Sequence, residues 1–220
     1  MRRRTVVARL VAATAALLGV SVTHGTGGPV FDVDVQRYLR APRGASVEVR
    51  AYEEGRRPNA PNVPLKDTAV ILVPRSAALL ARLAAIKESA RDSLANYRGA
   101  AVAMRRARED FERALWEAGA VPLALSSTVD GAGHVSFQSV PAGAWILMAW
   151  RSVTLDTHSE KAGRRAHLFT LEGSVEGYRV VSVWMRELTI DATGRQAAEL
   201  TDRNAWFSGI EEVKRKGAGR

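Results

Sequence analysis

The sequence predicts a mainly β protein: an antiparallel β-sandwich that carries an inserted antiparallel helical hairpin and a short C-terminal helix. Three observations predict it. Ser127–Trp150 reads as strand, tight turn, strand, Pro-Gly turn and strand. Ala77–Ala118 holds no proline and a single glycine, with apolar residues at three-to-four spacing. Tyr178–Ile190 is a long run of period two.

Taken in order, the chain begins with three consecutive arginines followed by an apolar run from Leu10 to Val22. A basic head and a short apolar stretch describe a secretory signal over residues 1–25, too short for a membrane span. Periplasmic or secreted localisation follows as the expectation, with no stable membrane span once the signal is cleaved. No cysteine follows the run, which excludes a lipid-anchored form, and general secretion is preferred to a twin-arginine route. The formal net charge of +9 falls to +5 once Arg2, Arg3, Arg4 and Arg9 leave with the signal. Lys214, Arg215, Lys216 and Arg220 place much of the remainder on a basic tail, residues 214–220. Nucleic-acid binding is not expected, because basic residues are not interleaved with aromatics on one face. A chain without cysteine has no disulfide, zinc-thiolate or thiol chemistry, so a packed core must stabilise it.

Residues 29–213 read as one sandwich domain. A first strand is expected over Val30–Val35 and a clearer one over Ser46–Tyr52. Glu53–Pro64 is a proline-rich loop, and the apolar, β-branched Thr68–Val73 a central strand. Ser76 is a fitting N-cap for the helical segment. Leu79, Leu83, Ile86, Ala90 and Leu94 form one apolar stripe; Met104, Ala107, Phe111 and Leu115 form another. A single helix of about 42 residues would be roughly 63 Å long and would hold its flanking strands too far apart to share a sheet. Residues 76–119 are therefore expected to reverse near Asn96–Gly99, with alanines 81, 84, 85, 100, 101 and 103 letting the helices approach closely. The alternative is a straight helix used for swapping or a coiled-coil dimer, and an unbroken helix through Tyr97–Ala101 is expected to sink the hairpin.

In the second half, Val135 and Phe137 alternate with Ser136 and Gln138, and Trp145, Leu147 and Ala149 resume the inward pattern. A further strand is expected over Arg164–Glu172. Gln196–Leu200 is expected to return as the hairpin partner of the Tyr178–Ile190 strand, after a turn at Asp191–Gly194. Thr201-Asp202 is expected to cap a short helix carrying Trp206, Phe207 and Ile210.

Asp130, Gly133, Phe137, Val140, Pro141, Gly143 and Leu147 resemble the core signature of carboxypeptidase regulatory-like domains, which have a transthyretin-like, Ig-like sandwich. Val135 stands where that family usually has an aromatic, and Trp145 where it usually has tyrosine. Pro64-Leu65 followed by Ala69–Val73 is similar to the family's strand after a Pro-bearing turn. The resemblance implies an accessory module that supports folding, binding or envelope assembly, and it carries no catalytic residue with it. The fold's hydrolase branch has its own histidine and C-terminal tetrapeptide, which this chain lacks.

The remaining residues give little chemistry. His134, His158 and His167 show no metallopeptidase spacing, and His158 with Glu160 is a weak pair on a loop. Asp130-Gly131-Ala132-Gly133 reads as a turn, since Ala132 sits where a calcium loop wants a carboxylate. No Gly-x-Ser-x-Gly elbow is present. No cofactor or metal is expected. Trp206 and Phe207 either anchor a partner or pack onto the sandwich, the second being preferred. Arg105, Arg106, Arg108, Glu109 and Asp110 read as a solvated face, with Arg105 and Arg106 as candidate partner contacts. The function expected is a non-enzymatic module that binds an envelope protein through its helical insertion. The alternative is a glycan-binding module stacking sugars on Trp145, Trp150, Trp184 or Trp206.

Overall fold

The computed structural model describes residues 31–57, 59–155 and 175–214. The expected signal segment, the expected strand Arg164–Glu172, His158, Glu160, His167 and the tail beyond Lys214 lie outside them.

Two sheets and a helical layer make a three-layer stack. Helix α1 (Val35–Arg40) precedes β1 (Arg43–Glu53), β2 (Val63–Pro64) and β3 (Ala69–Pro74). Helices α2 (Ala77–Ser89) and α3 (Leu94–Glu117) follow, then β4 (Leu125–Thr128), β5 (His134–Pro141), β6 (Gly143–Leu155), β7 (Val175–Ile190), β8 (Thr193–Thr201) and β9 (Phe207–Lys214). The first sheet centres on β1, which pairs with β2, β5 and β8. The second runs β4-β3-β6-β7-β9.

The second sheet is the middle layer. On one face, Trp145 and Trp184 point toward the first sheet: the Trp184 indole donates to the Thr201 carbonyl at 2.7 Å, and Trp145 meets Tyr38 edge-on at 5.4 Å. On the other face lies α3, with Arg108 over the Trp150 ring and Tyr97 beside Phe207. That explains why Trp145 through Trp150 are buried without interruption, since a strand covered on both faces needs apolar residues at every position. The helical layer is held by the buried stripe Met104, Ala107, Phe111 and Leu115, as the spacing predicts. Each such large side chain contributes about 1.5–3 kcal/mol when fully buried.

The insertion folds back as expected, but its reversal falls at Ala90–Ser93 instead of Asn96–Gly99. Ser93 caps α3 by accepting from the Asn96 amide at 3.1 Å, and the Asn96 side chain ties back to the Ser89 carbonyl at 3.0 Å. The helix therefore runs unbroken through Tyr97–Ala101, yet Arg82 on α2 still pairs with Asp110 on α3 at 3.0 Å, as a hairpin requires. Leu94, expected in the α2 stripe, is an exposed first residue of α3. Ala81, Ala84 and Ala85 face solvent, whereas Ala101 is buried close to Gly209 of β9. The close approach made by small residues is thus helix to sheet.

Four further expectations are corrected. The expected strand over Val30–Val35 does not form in its described part: residues 31–34 belong to no strand, and α1 begins at Val35, where the Asp34 carboxylate accepts from the Arg37 amide and starts a helix. Strand β8 does not pair with β7; it crosses at Asp191-Ala192 and lies parallel to β1 from Gly44↔Thr193 to Tyr52↔Thr201. The expected C-terminal helix is a single three-residue turn, Asp202–Asn204, capped by Thr201 and Asn204. Phe207 and Ile210 then lie on β9, where Phe207, Gly209 and Glu211 alternate toward α3 with period two.

The signature residues serve as turns and core. The Asp130 carboxylate accepts from the Ala132 and His134 amides at 2.9 and 2.8 Å, and its pKa is lowered, first by the bond from His134. Gly133 has φ +85° and lies under the Ala51 carbonyl. Gly143 has φ +149°, and a Cβ there would lie 2.8 Å from the Tyr38 ring. Phe137, Val140 and Trp145 are buried between the sheets.

Candidate functional site

A groove of about 560 Å³ opens between α3 and the edge of the middle sheet. Ala69, Val70 and Ile71 of β3 form its floor, Ser126, Ser127 and Thr128 of β4 one wall, and Arg108 and Glu112 of α3 the other. The hairpin creates it: α3 lies across β9 and β6 and leaves the sheet uncovered at β4.

Arg108 and Glu112 are one helical turn apart, just off the buried stripe of α3, so both are drawn toward the sheet. The Arg108 side chain is only 17% exposed, and its guanidinium carbon lies 5.2 Å from the centre of the Trp150 ring. It faces Glu112 at 3.4 Å and Glu109 at 3.5 Å. The first contact is close enough for ion pairing but outside hydrogen-bond geometry. Arg108 Nε, Glu112 Oε1 and Trp150 Nε1 are, among the described residues, buried side-chain atoms with no protein hydrogen-bond partner. Burial pushes the Glu112 carboxyl up; Arg108 pulls it down, and Glu109 pushes it up again. The wall thus presents a closely packed Arg108–Glu112 pair over Trp150, with the Ser126 and Thr128 side chains on the same face of the sheet.

The residues singled out by sequence are distributed elsewhere. Arg105 is ion-paired with Glu211 of β9, and the neighbouring Arg98 pairs with Glu212 at 2.9 Å, so Arg105 fastens α3 to the sheet. Arg106 is exposed on the far side of α3. Phe207 is buried, and Trp206 is half-buried beneath the Lys87 ammonium, 4.5 Å from its ring centre. Trp145, Trp150 and Trp184 are buried and offer no stacking surface. Arg108 belongs to the wall of the groove and not to a solvated face. Glu112, Ser126, Ser127 and Thr128 carry no motif. The one signal for Arg108 and Glu112 is their i,i+4 pairing beside an apolar stripe. Trp116, at 67% exposure, is one turn beyond Glu112. Among the described residues, no group of three histidines or carboxylates is arranged to hold a metal, and no helix is long and apolar enough to cross a membrane.

No family model matches the chain, and no curated protein matches it. Among solved structures it is similar to a "putative carbohydrate binding protein" from Pseudomonas aeruginosa, with 14% identity and a TM-score of 0.44, over 77% of this chain and 97% of the other.

Proposed function

We propose that the chain is a non-enzymatic binding module of carboxypeptidase regulatory-like type, exported to the periplasm or beyond, whose partner protein seats in the groove between α3 and β4. The observation that carries this reading is the groove itself, in which the Arg108–Glu112 pair of α3 stands beside the β4 edge of the middle sheet. A charged wall beside a strand edge is a surface that a partner segment can use. The helical insertion keeps the role expected from sequence, with Arg108 and Glu112 in place of Arg105 and Arg106. A photo-reactive residue at Thr128 tests it against one at Arg106. A discrete cross-linked product from Thr128, lost on Arg108→Ala with Glu112→Ala, is expected; cross-linking from Arg106 alone would reject the groove.

A second reading, glycan binding, is favoured by one specific observation: Trp116 presents an open indole face one turn from Glu112. If it holds, envelope glycans quench the fluorescence of the native protein but not that of Trp116→Ala. No quenching in either removes it.

A further inference from the structure

We infer that the groove's ligand is an extended peptide segment that adds as a strand to β4 and places a lysine or arginine side chain between α3 and the sheet. This deepens the proposed function and rests on the groove being the binding site.

The backbone argument comes from register. The Val129 amide donates to the Thr68 carbonyl at 2.9 Å, and β4 continues the same antiparallel pairing from Ala69↔Thr128 to Leu72↔Leu125. In such a ladder, alternate residues turn their N–H and C=O toward the partner strand. Val129, Ser127 and Leu125 therefore face β3, and Thr128 and Ser126 direct theirs outward. Among the described residues β4 pairs with β3 alone, and Ser126–Thr128 are exposed. Two residues thus offer two outward donors and two outward acceptors, the repeat that strand addition uses.

The side-chain argument comes from the same register. Ser126 lies opposite Ile71 and Thr128 opposite Ala69, and all four line the groove. A peptide residue paired beside Ser126 or Thr128 points its side chain to that same face. There it meets Arg108 and Glu112. The guanidinium is already flanked by two carboxylates, Glu112 and Glu109, so the local sum is one negative charge. The Glu112 side chain is still 31% exposed, so part of its carboxylate remains for an ammonium or guanidinium group to meet. An acidic side chain would meet the same carboxylates at a cost.

The test uses isotope-labelled protein and acetylated heptapeptides Thr-Val-Thr-X-Thr-Val-Thr, with X as Lys, Gln or Glu. The Lys peptide is expected to slow hydrogen exchange at the Ser126 and Thr128 amides and to move the Trp150 indole N–H signal. It should bind about tenfold more tightly than the Glu peptide, a preference that Glu112→Gln largely removes. N-methylation of alternate peptide amides keeps every side chain and should abolish binding. If peptides move the Trp150 signal while Ser126 and Thr128 exchange is unchanged, strand addition is wrong and the groove stands. If a chito-oligosaccharide moves that signal and the peptides do not, the ligand class is wrong. If neither moves it, the groove reading falls as well.

Discussion

Glu112 shows how position on a helix turns an ordinary surface residue into a strained one. It is one of several carboxylates on α3, but it alone follows Arg108 by four residues on the edge of the buried stripe. Burial raises its pKa, Arg108 only partly offsetting this. A carboxyl whose folded pKa is raised contributes stability below its unfolded pKa and loses it as pH rises through the folded value. Glu112→Gln should therefore melt higher than the native protein at neutral pH, with the gain vanishing below the ordinary glutamate range near 4.5. Thermal melting across that range checks it; an unchanged difference at every pH would mean that the charge is not what burial opposes. The tryptophans teach the complementary lesson. Trp145 is legible as core from its inward alternation, and the buried Trp150 belongs to the same unbroken run. Trp206 is half-buried beneath Lys87, in keeping with the packing preferred for it, whereas the exposure of Trp116 has no signal in the sequence.

At the scale of elements, the strongly periodic segments were legible and their joints were not. Glycine marks a helix break only if nothing else breaks it first. Here Ser93 provides a side-chain cap six residues earlier, and Gly99 falls on an open face of α3 with no atom within 4 Å of a built Cβ. Gly99→Ala should stabilise the protein by about 0.5–1 kcal/mol, a rise in melting temperature of roughly 1–4 °C for a chain of this size. A fall would show that the flexibility of Gly99 is used. Strand β8 was recognised as a strand but given the wrong neighbour, since period-two alternation says which face is buried and not which edge is paired. Trp206, Phe207 and Ile210 fit a helical spacing by accident. With only three residues to compare, the period was undecided, and pairing with β7 decided it.

The whole molecule is a sandwich with a third layer, and that layer is structural as well as being one wall of the proposed docking groove. The hairpin covers Met148, Trp150, Val183 and Phe207, which no sheet covers on that side. It is clamped there by Arg98 and Arg105 on β9 and by the N-terminal segment. In that segment Asp32 accepts from the Ala77 and Ala78 amides at 2.7 and 3.1 Å, and Phe31 packs on Phe111 at 5.9 Å. Excising Ala77–Ala118 should leave a sheet face of large apolar side chains in water, so the shortened protein is expected to bind a hydrophobic dye and lose its cooperative melting transition. A cooperative transition near that of the full chain would mean the layer is dispensable. The alternation of Trp145, Leu147 and Ala149 describes one buried face only, and the signal for a covering layer lies in Ile146, Met148 and Trp150, which leave that stretch of β6 no polar face to give to solvent. The groove was not legible, because it arises where α3 stops short of β4, a matter of three-dimensional offset that no local pattern encodes.

The parallel pairing of β1 with β8 has a consequence for the order of events in folding. The first strand waits for one that lies about 150 positions later, from Gly44 to Thr193, and only their meeting completes the first sheet. Contacts this distant in sequence bring a large loop-closure cost and slow folding. The chain emerging from the ribosome can build α2, α3 and the β3-β6 pairing early, while β1 remains an incomplete edge until almost everything else has been made. Commitment to the native state therefore belongs to the last quarter of the chain, which is also where a truncation would be most damaging.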